Sequence, residues 1–307
     1  MKPVSSILVV VDRSPAAADA TAKAVLLARQ FKARVELFMC DAERAYALSQ
    51  EYIPTGVEEA RQACVADSHR YLETLKQSAA AADVSITIDA ACDSPLYEGI
   101  VRKVLREHPD LVIKNVAGTP CRLDTTDWQL MRACPATLML TRGRPWQSPP
   151  RFAAAVDASA AESAGLARDI LQAAQLLTGS MGGDLDVLYA ESTDMDEDER
   201  NMGERAVHEL VKGPPETAPT IHVLVGTPEV SLPRFAKGRS YDAMLLGALT
   251  HRPGVTAQVG TLTSRLVEAL ECDFVLVKPT AYHSSVGESY GRLIAQPSSE
   301  KAAKGSV

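Results

Sequence analysis

The residues whose types and spacing could do chemistry lie late in the chain: Gly247, Thr250 and the pair Gly260-Thr261. They stand between an apolar run at residues 243–246 and an amphipathic stretch in which Leu262, Leu266, Ala269 and Leu270 share one helical face. A second apolar run, residues 274–277, closes the segment. The pattern predicts strand, loop, helix, strand. A helix that starts at Gly260-Thr261 presents free backbone N–H groups, and these suit a phosphate. Thr261, Thr263 and Ser264 add hydroxyls to the first turn. A glycine before a helix also serves a tight turn with no ligand, so both readings stand.

Composition narrows the setting. A chain of 307 residues that is 46% apolar can build packed cores, with roughly two domains of ordinary size. No stretch of ~18 apolar residues is present to span a bilayer, so no membrane insertion is expected. The first apolar run is followed at once by Asp12 and Arg13, which makes a poor signal peptide and favours the cytoplasm. A net charge of −7 argues against nucleic acid as a partner. Cysteines 40, 64, 92, 121, 134 and 272 form no CxxC pair, which predicts reduced, mostly buried thiols. Histidines 69, 108, 208, 222, 251 and 283 are scattered and are read as surface or packing residues, with no metal site. There is no G-x-S-x-G, no P-loop and no H-E-x-x-H, so no catalytic residue is assigned.

The elements that must position the loop repeat twice. Strands are expected at 6–11, 35–39, 84–90, 111–114 and 136–140, with helices at about 15–32, 57–82, 97–107 and 127–133. Ser14 is the expected cap of the first helix, with Pro15 at its first position. Residues 143–150 are rich in proline and read as a linker. The pattern then restarts: Asp157-Ala-Ser159 repeats Asp12-Arg-Ser14, each after an apolar strand. Strands at 153–156, 186–190 and 220–225 and helices at 162–177 and about 199–212 complete a second copy. Alternating strands and helices predict parallel sheets covered on both faces. The expectation is α/β: two tandem open five-stranded parallel-sheet domains, at 1–145 and 151–280, and a flexible tail at 281–307.

The strand-Asp-x-Ser opening, the unit size, the glycine-bearing fourth loop and the duplication together resemble the universal stress protein family, closest to its tandem E-type members. The resemblance covers nearly all of residues 3–282. It implies an adenine-nucleotide α-hydrolase-like fold and, in many members, ATP or AMP bound through G-x2-G-x9-G-[ST], with Mg as a possible companion. In the second half this pattern falls on Gly247, Thr250, Gly260 and Thr261, with Thr250 in place of the second glycine. The resemblance makes Asp157 the adenine contact, with Ala190 lining the base and Leu246 and Gly247 meeting base and ribose. Leu262 completes the helix start, and His251 and Arg252 either reach phosphate or remain in a solvated loop. If the second glycine position needs a positive φ, a β-branched threonine is disfavoured there.

The first half departs further. Lys114 and Asn115 end its fourth strand, Gly118 holds the second glycine position, and Trp128-Gln129 replaces the Gly-Ser pair. Thr125-Thr-Asp-Trp128 with Cys134-Pro135 resembles the Thr-Asp-Trp…Cys-Pro segment of E-type first domains. An indole at the helix start would fill the space of a triphosphate, so this half is read as unable to bind ATP, with Trp128 packed in the core or the interdomain seam. Thr125 or Thr126 is the expected helix cap, and Asp127 is favourable in the first turn. Lys114 is expected beside Asp12, in an ion pair or an anion site.

The resemblance implies a tandem stress-adaptation protein whose second domain is expected to bind ATP or AMP in a regulatory way, with at most weak ATPase activity. Its two domains would pack as an internal pseudo-dimer. Protein partners are expected but unnamed, and a homodimer is compatible with the reading. The alternatives are a nucleotide-free interaction scaffold, or a carrier of another small molecule or lipid precursor through the altered first domain.

Overall fold

The apolar runs become neighbouring strands of one sheet in the computed structural model of the chain. It describes residues 3–50, 56–116, 122–158, 164–191, 197–211, 218–250, 258–259, 261–279 and 282–286. The first half runs β1 (Ser6–Val10), α1 (Ala16–Phe31), β2 (Arg34–Cys40), α2 (Ala42–Gln50), α3 (Val57–Ser78), β3 (Ile86–Ala91), α4 (Leu96–Glu107), β4 (Leu111–Asn115), α5 (Thr125–Ala133) and β5 (Thr137–Thr141). The second half runs β6 (Arg151–Val156), α6 (Ala164–Met181), β7 (Asp184–Glu191), α7 (Glu197–Leu210), β8 (Thr220–Val225), α8 (Pro228–Ala236) and β9 (Ala243–Gly247). A short hairpin, β10 (Leu249–Thr250) and β11 (Gln258–Val259), leads to α9 (Thr261–Ala269) and β12 (Asp273–Val277).

The ten-stranded sheet has the order β3-β2-β1-β4-β5-β12-β9-β6-β7-β8. Each half therefore carries its strands in the sequence third, second, first, fourth, last. Where the halves meet, β5 and β12 run antiparallel, with Leu138, Met139 and Leu140 opposite Leu276, Val275 and Phe274. The other ladders of this sheet are parallel. Alternation of side chains along each strand feeds two cores. Ile7 and Val9 join residues of α1, α3, α6 and α7 on one face. Leu8 and Val10 join residues of α4, α5, α8 and α9 on the other.

Four features differ from the sequence expectation. Helix α2 buries Ala45 alone, so it shows too little apolar periodicity to be read from sequence. Helix α8, not assigned from sequence, carries Pro228 at its start and Pro233 inside, and is docked by the buried Leu232 and Ala236. The segment after β9 is a hairpin rather than open loop. Helix α1 begins after Pro15, not Ser14, because the Ser14 backbone N–H and hydroxyl both donate to Asp12 Oδ1, at 2.9 and 2.5 Å.

The stretch read as a linker is clamped rather than slack. Asp273, 1% exposed, accepts from the Arg142 N–H at 2.8 Å, Trp146 Nε1 at 2.8 Å and Thr141 Oγ1 at 3.2 Å. Lys23 Nζ pairs with it at 3.2 Å and lies 4.2 Å from the centre of the Trp146 ring. Asp242 receives the N–H groups of Gln147 and Arg151, each at 2.8 Å. On the opposite side of the seam, Lys278 donates to the carbonyls of Met131 and Arg132 at the end of α5. This cation suits the negative end of that helix.

Candidate functional site

In open parallel sheets, ligands bind beyond the carboxyl ends of the strands. Several of the residues singled out from sequence meet there in the second half. Strands β9, β6 and β7 are neighbours, with Ala154 opposite Leu245 and Val156 opposite Tyr189. Asp157 follows β6 and is exposed, and Ala190 near the end of β7 is half-buried. Leu246 is buried and Gly247 half-buried at the end of β9. These strand ends are joined to the start of α9 by Thr263, whose hydroxyl donates to the Gly247 carbonyl at 3.0 Å. Thr263 and Ser264 are buried, so their hydroxyls line the packing of the helix rather than an open cradle. Leu262 is half-buried beside them. No acid occupies the first turn of α9.

Thr250 lies in β10, paired with Gln258 of β11. Its backbone is extended, where a β-branched residue is at ease, so the positive-φ objection to threonine does not apply. Thr261 is the first residue of α9. His251, Arg252 and Gly260 lie outside the described residues, as does Gly118 in the first half.

A tyrosine that the sequence reading passed over supports this edge. Tyr189 is 1% exposed, and burial raises the pKa of its phenol above the ordinary value. Glu191, at the end of β7, is also buried, which raises the pKa of its carboxyl. Helix α7 approaches Tyr189 at Gly203, where an added Cβ would stand 2.1 Å from the phenol oxygen. Gly203→Ala should therefore destabilise the protein by about 1–3 kcal/mol despite alanine's better helix propensity. Urea unfolding of the two proteins measures it, and equal midpoints would refute the contact.

The first half is built differently at the corresponding edge. Lys114 Nζ pairs with Asp127 Oδ1 at 2.6 Å, not with Asp12, which is engaged by Ser14. Asp124, rather than Thr125 or Thr126, caps α5: its Oδ1 accepts from the Asp127 N–H at 2.7 Å, and Asp127 Oδ2 accepts from the Asp124 N–H at 3.0 Å. This reciprocal box fits the helix-start preferences of acidic residues. Trp128 is 37% exposed, so it packs in neither the core nor the seam. The buried face of α5 is Asp127, Leu130, Met131 and Ala133, and the next position after Asp127 necessarily turns away from it. Burial raises the pKa of the Asp127 carboxyl, and Lys114 opposes that rise.

Cys40, Cys64, Cys92, Cys134 and Cys272 are free thiols, and burial pushes Cys40 and Cys64 up to about 12. Cys64 and Cys92, distant in sequence, meet in one small apolar cluster with Ala45. Among the described residues no group of His, Cys, Asp and Glu could hold a metal ion. No described helix is long and apolar enough to cross a membrane. A cleft of about 640 Å³ opens elsewhere, at the amino-terminal edge, lined by Trp146, Arg239, Tyr241 and Glu271 among others. It adjoins the ends of α8 and α9, where helices offer carbonyls rather than phosphate donors.

The sheet order and the halves joined through their last strands define an α/β protein built of two tandem open sheets with parallel strands within each half. Residues 3–142 match the model of the universal stress protein family. The first half of the chain therefore carries a universal stress protein domain, and the length of the whole fits the two-domain E-type members. It is 23% identical over 304 residues to universal stress protein E of Salmonella typhi, covering 92% of this chain and 96% of that one. Among solved structures, a functionally unknown protein from Pseudomonas aeruginosa is 22% identical with a TM-score of 0.68, over 94% of this chain and 96% of that one. A universal stress protein from Archaeoglobus fulgidus is 13% identical with a TM-score of 0.65, over 89% and 98% of the two chains. At these identities the structures speak to the fold alone.

Proposed function

We propose that this protein is a nucleotide-responsive stress-adaptation factor whose second half binds ATP or AMP, with Mg as the ion accompanying ATP. The observation that carries this reading is the meeting of Asp157, Ala190, Leu246 and Gly247 at adjacent strand ends, before a helix with no acid in its first turn. In this arrangement Asp157 contacts adenine, and Ala190 and Leu246 wall the base. Gly247 allows the ribose to approach. On this reading Thr250, His251, Arg252, Gly260, Thr261 and Leu262 serve the phosphates. A helix start with no acid in its first turn favours an anion.

The role is regulatory rather than strongly catalytic. Nucleotide changes the surface that the hairpin and α9 offer to protein partners in the cytoplasm, while the halves act as an internal pseudo-dimer.

The test is calorimetric titration of the full chain with ATP and with AMP, beside native mass spectrometry of the untreated protein. The expected result is one site per chain, lost in Gly260→Leu because a side chain there blocks the close approach of phosphate. No heat with either nucleotide would overturn the reading in favour of a nucleotide-free scaffold. A co-purified larger amphipathic compound would turn it towards a carrier.

A further inference from the structure

The two halves can be compared residue by residue through their last strands. Asn115 pairs with Thr141 at the end of β5, and Gly247 pairs with Val277 at the end of β12. Asn115 and Gly247 thus hold equivalent places, as do Lys114 and Leu246. The helices that follow begin at Thr125 and Thr261, which places Asp127 where the second half has Thr263. Both third residues tie their helix to the fourth strand. Thr263 does so with a neutral hydroxyl on the Gly247 carbonyl, and Asp127 with a carboxylate on the Lys114 ammonium.

We propose that the Lys114–Asp127 pair is an autoinhibitory contact: Asp127 occupies an anion site of the first half that would otherwise take a phosphate group. The Lys114 side chain is 13% exposed and that of Asp127 3% exposed, so the pair is largely withdrawn from water. One Asp127 oxygen faces Lys114 and the other receives the Asp124 N–H. Asp124 Oδ2 adds a second negative group 4.0 Å from the same ammonium. Lysine and helix start are both neutralised from within the chain, and a phosphate ester arriving here would meet two carboxylates. The first half is closed by charge rather than by the bulk of Trp128. This proposal stands whether or not the second half takes a nucleotide.

The probe is inorganic phosphate, used with the full chain. Thermal unfolding is compared in phosphate and chloride at equal ionic strength, and phosphate stoichiometry is measured by calorimetry. Asp127→Ser installs the short hydroxyl type found in the second half. It should add one phosphate site per chain, with affinity at least roughly tenfold above any wild-type binding there, because a largely buried lysine loses its close counter-ion and keeps only the exposed Asp124 carboxylate at 4.0 Å. Adding Lys114→Leu to that variant should abolish the gain. A folded Asp127→Ser protein without an added site would overturn the proposal, and so would an equal gain in the double variant. If Asp127→Ser does not fold, the shape-conserving Asp127→Asn is read instead. It should show a phosphate-dependent rise in Tm larger than that of the wild type, and the absence of that rise overturns the proposal.

Discussion

Asp273→Ala should destabilise the protein by roughly 3–5 kcal/mol, the range for breaking a buried ion pair from one side. The carboxylate is 1% exposed and Lys23, its partner, 5% exposed. Burial lowers the pKa of Lys23, while Asp273 is the main influence raising it. Removing the carboxylate strands that ammonium and also orphans the Arg142 N–H and Trp146 Nε1. Because Asp273 begins β12 and Lys23 lies in α1, the loss falls on the seam between the halves. Denaturant unfolding measures it. Adding Lys23→Met should recover part of the loss, since the unpaired charge is then gone. A single variant within 1 kcal/mol of wild type, on the ordinary scale of surface substitutions, would show that the clamp has no energetic role.

The second large effect depends on pH. Burial pushes Lys278 down from 10.5 to about 8. Below pH 8 the ammonium is protonated in both folded and unfolded chains. Between about 8 and 10.5 the unfolded chain holds more protons, so this group's contribution to stability rises with pH. The gain is at most about 3 kcal/mol, because the Met131 and Arg132 carbonyls favour the charged form. Desolvated thiols act in the opposite sense. Cys134 is pushed up from 9.0 to about 11 and Cys272 from 9.0 to about 12, so their contributions fall as pH rises past the ordinary thiol value. The whole profile is a sum of both trends, and the difference from Lys278→Met isolates the lysine. Wild-type stability minus variant stability should increase from pH 8 upward. A flat difference to pH 10.5 would show that the ammonium titrates as in water.

Much of the fold was legible because strand and helix periodicities are local. The five-residue apolar strands read as continuous runs because helices cover both faces of the sheet. The repeated Asp-x-Ser after β1 and β6 marked the duplication. Helix α2 was not legible because it presents only Ala45 to the interior. Helix α8 was not assigned from sequence; it contains Pro233 and is held by tertiary docking of Leu232 and Ala236. At the candidate site, spacing picked out Gly247 and Thr261 but not the engagement of Thr263 with the Gly247 carbonyl, since that contact needs the strand end and helix start in register.

What the sequence determined by itself is the α/β class, the doubling, the family resemblance and the glycine spacing of the second half. Each depends on residue order within one unit. Only the tertiary structure decided how charges pair. Lys114 chose Asp127 over Asp12, Trp128 turned outward, and Asp273 gathered Lys23, Arg142 and Trp146. The partners of Asp273 lie more than a hundred residues away and meet it through strand order, and the desolvation of a buried charge depends on everything packed around it. Neither quantity is written in local sequence.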